Sequence, residues 1–110
     1  MPNIAFLSVA RPSDSAENDI GLAPILMRRD EVINLKSAVH LTGRSEKTIR
    51  NWCHEFGIGV QACPGAPLEI SAPALEMLRH GDLVALDLLR HGRRDHDRVR
   101  RYFDHLGLPI

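Results

Sequence analysis

Residues 34–57 read NLKSAVHLTGRSEKTIRNWCHEFG, and the architecture turns on this stretch. Asn34 carries the side chain of a helix N-cap, and Leu35, Ala38 and Val39 follow at the i, i+3, i+4 spacing of one short helical face. Thr42, Gly43 and Arg44 interrupt that helix, because glycine takes the left-handed conformation that ends helices at little cost. Ser45 is the next N-cap, with Glu46 in the first turn at the positive end of the helix dipole. Ile49, Trp52, Cys53 and Phe56 recur at i, i+3, i+4 and i+7, so a second helix over residues 45–56 carries one narrow apolar stripe. Ile49, Trp52 and Phe56 are expected in the core, and Cys53, on the same stripe, as an inert packed thiol. Gly57 and Gly59 stop this helix.

Downstream, residues 58–62 and 68–70 read as two short strands around Cys63, Pro64, Gly65, Ala66 and Pro67, whose prolines and glycine demand a turn. Ser71 caps a third helix that tolerates Pro73 in its first turn and turns Leu75 and Leu78 inward. Asp82 caps a fourth over residues 83–90, apolar on more than one side through Leu83, Val84, Leu86, Leu88 and Leu89. Gly92 separates a fifth, expected over residues 93–105, with Val99, Tyr102, Phe103 and Leu106 on one face. Upstream, Val32, Ile33 and Leu35 form a short apolar lead-in compatible with a strand. Residues 1–29 show no sustained period and read as a flexible or weakly ordered segment, in which Ile4, Phe6, Leu7 and Val9 suit either a strand or a cap on a partner. The expected fold class is mainly α with a small β-hairpin. Its parts are the N-terminal segment 1–29, a core 30–80, and a C-terminal helical extension 81–110.

A chain of 110 residues suits one domain with one core. No apolar run approaches the roughly 18 residues of a membrane span. Residues 1–10 are apolar but place no basic residue ahead of Phe6 and no cleavage region behind it, so a secretory leader is not expected and the cytoplasm is. Cys53 and Cys63 are too few for a disulfide framework and lack a paired metal-ligand spacing. His80, His91, His96 and His105 form no ligand set; the nearest approach, His91 with Asp95 at i+4, is broken by Gly92. No metal and no cofactor is therefore expected. Enzyme signatures are also missing: there is no nucleophile triad, phosphate loop or paired-carboxylate spacing, and one small core leaves little room for a deep substrate pocket.

The 14 basic and 14 acidic residues cancel, which argues against a polyanionic partner unless the charge is unevenly spread. Arg90, Arg93, Arg94, Arg98, Arg100 and Arg101 crowd the C-terminal end among Asp95, Asp97 and Asp104. Three readings of that run stand: a solvated face with intrahelical pairs such as Asp97 to Arg101, an extension of a nucleic-acid surface, or the rim of an oligomer interface centred on the leucines of the fourth helix.

Two short helices joined through a glycine turn, the second with a narrow buried stripe, make a helix-turn-helix pattern. The inner stripe holds the second helix on the core while its outer face is presented outward. At 1.5 Å per residue about a dozen residues span roughly 18 Å, enough to lay two turns against base edges in a major groove. That outer face offers Lys47, Thr48, Arg50, Asn51 and His54, following Ser45 at the cap. The forks of Arg50 and Asn51 match guanine and adenine, while Lys47 and Arg44 suit phosphate. Lys36 and Ser37 open the first helix, where phosphate contact and plain exposure are equally open.

These residues resemble the winged helix-turn-helix of excisionase-like and MerR-like DNA-binding proteins. Members typically read cap, small residue, glycine turn, Ser, Thr, hydrophobic, Arg and an aromatic, positions held here by Asn34, Ala38, Gly43, Ser45, Thr48, Ile49, Arg50 and Trp52. The likeness runs over roughly residues 30–80, followed by the C-terminal helical pair. It implies binding of double-stranded DNA with the second helix in the major groove and the hairpin wing beside it. Such proteins, bacterial or phage-encoded, serve as recombination directionality factors, transcription regulators or DNA-recognition subunits of phage packaging machines, so a recombinase or other protein partner is implied too. Two departures stand out: wings of the group usually carry Lys or Arg, whereas Cys63 to Pro67 is uncharged, and Arg44 fills a usually hydrophobic turn position. Net neutrality and the uncharged wing keep open another class, a protein-interaction module that retains the helix-turn-helix core without DNA binding. Self-association through residues 81–110 is a further expectation.

Overall fold

The computed structural model describes residues 23–110, and the expectation for Ile4, Phe6, Leu7 and Val9 lies outside the described residues. A 3-10 turn (Arg29–Glu31) leads into β1 (Val32–Ile33), α1 (Leu35–Thr42), α2 (Glu46–Phe56), β2 (Gly59–Gln61), β3 (Leu68–Ser71), α3 (Ala72–Arg79), α4 (Leu83–Arg90) and α5 (Asp97–Leu106). The fold is mainly helical with one small antiparallel sheet, and the caps read from the sequence are in place. Asn34 Oδ1 accepts from the Ser37 amide at 2.8 Å, Ser45 Oγ from Thr48 at 3.2 Å, Ser71 Oγ from Ala74 at 3.3 Å and Asp82 Oδ1 from Ala85 at 3.1 Å. Each satisfies a first-turn N–H that no helical carbonyl can reach. Gly43 and Gly57 end α1 and α2 at φ 70° and 65°.

The hairpin acquires a third strand. β3 lies in the middle, pairing with β2 through Val60 and Glu69 and with β1 through Val32 and Ser71. Ile70 of β3 is fully buried and sits opposite Ile33 on one side and Gly59 on the other, so its backbone lies between two partner strands. The segment before α1 is thus stitched to the end of the hairpin.

One hydrophobic core runs through the described residues. It joins Ala38 and Ile49 of the two short helices, Ile58 and Ile70 at the sheet, Leu75 and Met77 of α3, Leu86 and Leu89 of α4, and Val99 and Phe103 of α5. α3 is its axis, with every residue from Ala72 to Leu78 buried. Each large apolar side chain so buried contributes about 1.5–3 kcal/mol of transfer free energy, which makes α4 and α5 part of the body that holds α2 in place. Ile25 enters the same core, so close packing begins upstream of Asp30.

Three expectations are corrected. α5 starts at Asp97 rather than at residue 93: Gly92 sits at φ 79°, the Arg93 amide returns to Leu88 O at 2.9 Å, and His96 caps the helix by accepting from Arg98 N at 3.1 Å. That turn brings Arg94 back over the Phe103 ring, 5.2 Å from its centroid. Trp52 and Phe56 are half-buried at the margin of the core, whereas Ile49 is fully enclosed. Asp97 and Arg101 form no ion pair among the described residues; the neighbouring Arg98 turns to Asp82 at 3.0 Å. Among the described residues no helix is long and apolar enough to cross a membrane.

Candidate nucleic-acid interface

α2 has two chemically distinct faces. Ile49 is fully buried and Cys53 nearly so, anchoring the inner stripe. Lys47, Arg50, Asn51 and His54 fall at i, i+3, i+4 and i+7 on the other side, and all are exposed. Burial pushes the Cys53 thiol pKa up while the Arg50 charge pulls the other way, which keeps that thiol protonated and a packing group.

Cations outnumber carboxylates along residues 34–57. Lys36, Arg44, Lys47 and Arg50 face only Glu46 and Glu55 within residues 34–57, and none of the four pairs with a carboxylate among the described residues. The C-terminal arginines behave differently. Arg79 lies 3.2 Å from Glu76, Arg93 3.7 Å from Asp95, Arg94 2.6 Å from Glu31 and Arg98 3.0 Å from Asp82. Within the C-terminal run, Arg94 and Arg98 therefore brace distant parts of the fold, Arg93 makes an exposed local pair, and Arg100 and Arg101 lie outside these pairs. A neutral sum conceals an uneven distribution.

Other candidate residues have separate local duties. Ser45 and Thr48 start the helix: besides the cap, their hydroxyls lie 3.1 Å apart. Arg44 donates its amide to Thr42 Oγ1 at 3.1 Å, and that hydroxyl donates to Ala38 O at 2.8 Å, so the Thr42 side chain holds the turn while the Arg44 side chain stays exposed. Lys36 and Ser37 are exposed on the first turn of α1. The hairpin tip is closed by Gln61 Nε2 donating to Ala66 O at 2.6 Å, and its exposed Cys63 and Pro64 bring no charge.

No three His, Cys, Asp or Glu side chains among the described residues converge as a metal set. His91 lies 3.6 Å from Asp87 rather than against Asp95. His80 and His105 approach Oε2 of the buried Glu76 at 3.4 and 3.3 Å, alongside Arg79, and Glu76 Oε1 has no partner among the described residues.

Sequence reasoning missed Arg90. Its guanidinium donates to Phe56 O, at the end of α2, and to Ala23 O at 2.6 Å. Those partners lie 34 and 67 residues away, so no local spacing announces them. No protein-family model, curated protein or solved structure matches this chain. The functional reading accordingly rests on the residues themselves.

Proposed function

We propose that this chain is a small double-stranded-DNA-binding protein of winged helix-turn-helix type that inserts α2 into the major groove. The observation that carries the reading is the division of α2 into a buried stripe at Ile49 and Cys53 and an exposed stripe at Lys47, Arg50, Asn51 and His54. The 11-residue helix is about 16 Å long, and a helix's diameter of about 10–12 Å fits a major groove roughly 12 Å wide. Arg50 is the candidate for guanine and Asn51 for adenine; Lys36, Arg44 and Lys47 are the candidates for phosphate. An excisionase-like recombination directionality factor or a cytoplasmic transcription regulator fits this reading, with phage DNA packaging as the other role for the same interface.

The test is fluorescence anisotropy of a duplex pool with a randomised centre, titrated at several salt concentrations. Binding should weaken linearly in log–log form, with a slope of about −0.9 for each phosphate neutralised. Absence of binding at low salt, or binding indifferent to salt, overturns the proposal.

A second reading draws on Leu83 and Val84, which are 53% and 55% exposed on α4. Adjacent exposed apolar side chains of this size favour a protein contact, either with a second copy through residues 81–110 or with a recombinase-type partner. If the chain shifts no DNA at low salt yet forms a stable protein complex, the helix-turn-helix is an interaction module.

A further inference from the structure

We infer that Arg90 is the positioning residue of the reading helix, holding the C-terminal end of α2 and the strap at Ala23 in a single guanidinium. The functional consequence rests on the DNA-binding reading above; the positioning itself does not.

The last carbonyls of any helix lack intrahelical donors. At the end of α2, Gly57 turns the chain and its amide closes on Cys53 O at 3.0 Å, while Phe56 O receives Arg90 Nη2. A cation there also meets the negative end of the helix dipole. The other arm, Nη1, donates to Ala23 O at 2.6 Å, and Arg94, on the turn after α4, donates to Leu26 O at 3.0 Å. Ile25, between those two carbonyls, is buried in the core. The strap and the end of the reading helix thus hang from one corner of the molecule, at the C-terminal end of α4.

Arg90 is suited to this because its planar fork reaches two carbonyls at once, which a lysine ammonium on a flexible stem does not reproduce. Burial lowers its pKa, with Asp87 opposing, so the charge sits there at a desolvation cost, and the guanidinium finds its acceptors in the two carbonyls. α2 otherwise packs chiefly on α1 and β2, which makes Arg90 the polar tie between the reading helix and the C-terminal helices. Asn51 and His54 lie in the half of α2 nearest that tie. A bidentate base contact depends on position and angle, whereas a phosphate contact tolerates movement. Arg90 is therefore a determinant of base discrimination more than of overall affinity.

The experiment compares full-length wild type with Arg90→Met and Arg90→Lys. Duplexes are selected from the randomised pool with wild type, and the affinity ratio of selected to random duplex is measured for all three. Arg90→Met should lower that ratio by about tenfold or more, the equivalent of one base contact, while affinity for random duplex changes by less than about threefold. Arg90→Lys should fall between. A DNA-free readout accompanies this: Trp52, the sole tryptophan, sits one turn before Phe56, so its emission and the exchange of the Gly57 amide report the end of α2. Both should change in Arg90→Met; if that variant fails to fold, Arg90→Lys decides. A folded variant with unaltered Trp52 emission, unaltered Gly57 exchange and an unaltered ratio overturns the inference. If wild type binds no duplex but Trp52 and Gly57 respond, the DNA reading falls and the positioning stands. If wild type selects a sequence that the variants read equally well, the role of Arg90 in base discrimination falls and the DNA reading stands, and Trp52 and Gly57 alone decide the positioning.

Discussion

Arg94 grips Glu31 through two hydrogen bonds, Nη1 to Oε2 at 2.6 Å and Nη2 to Oε1 at 2.8 Å, across 63 residues of chain. Glu31 is 1% exposed, so this carboxylate has almost no solvent to fall back on. The hydrogen bonds to Glu31 raise the Arg94 pKa against the opposing effect of burial, and Phe103 covers the guanidinium. The pair fastens the turn before β1 to the turn before α5.

Glu31→Ala removes one partner and leaves a half-buried guanidinium without its carboxylate. Stability should fall by about 3–5 kcal/mol, the range for breaking a buried pair, which urea unfolding measures directly. The double variant Glu31→Met, Arg94→Met should recover part of that loss. A change under about 1 kcal/mol in the single variant would place the pair with surface ion pairs instead.

On the proposed DNA-binding reading, the two kinds of contact made by α2 separate by mutation. Lys47→Ala should weaken binding to all duplexes alike and reduce the salt slope by about one. Arg50→Ala should cost about 1–3 kcal/mol on the preferred duplex and relax choice at one base pair. Equal effects of the two changes on sequence choice would show that Arg50 touches only phosphate.

Gly59 is required by its neighbour. A Cβ at this position would lie 2.7 Å from Cys53 Sγ and 3.2 Å from Glu69 O. Gly59→Ala should therefore destabilise the fold by about 1–3 kcal/mol, as other overpacked sites do. Adding Cys53→Ala removes the sulfur and should return part of the loss, so a double-mutant cycle with no coupling would count against the steric account.

The hub at Asp82 makes stability depend on pH at both extremes. Burial raises the Asp82 pKa, but hydrogen bonds from Ala85, Tyr102 and Arg98 and the Arg98 charge outweigh it, and the net shift is downward. A lowered folded pKa means the contribution is complete above the unfolded value of about 3.9 and is lost as pH falls through the folded one. Asp82→Asn should flatten that acid limb in unfolding curves. Tyr102, burdened by burial and by its 2.8 Å hydrogen bond to Asp82, is pushed up from 10.0 to about 12. Its contribution is complete below pH 10.0 and fades as pH climbs towards about 12. Tyr102 is the sole tyrosine, so tyrosinate absorbance follows it directly, and a midpoint near 10 in the folded chain would contradict the assignment.

The helices, their caps and the two faces of α2 were legible along the chain. Asn34, Ser45, Ser71 and Asp82 act within three residues of themselves, and the stripe at Ile49 and Cys53 follows from 3.6 residues per turn. Local chemistry of that range needs no knowledge of the fold. α5 starts later than the periodicity suggests because Arg93 and Arg94 have ordinary helix propensity, while the Gly92 turn, the His96 cap and the distant Glu31 together hold them out of the helix.

What residues 34–57 specify unaided is two short helices, a glycine turn and a polar face bearing Lys47, Arg50, Asn51 and His54. The tertiary structure decided how charge is shared: Arg94 reaches Glu31, Arg98 reaches Asp82, Arg90 turns to two carbonyls, and the cations near α2 are left exposed. It also decided that β1 completes the sheet and that α4 and α5 share the core of α2. Those outcomes depend on groups tens of residues apart meeting in a desolvated interior, where an unpaired charge or carbonyl is costly, and a one-dimensional spacing carries no record of which groups will meet.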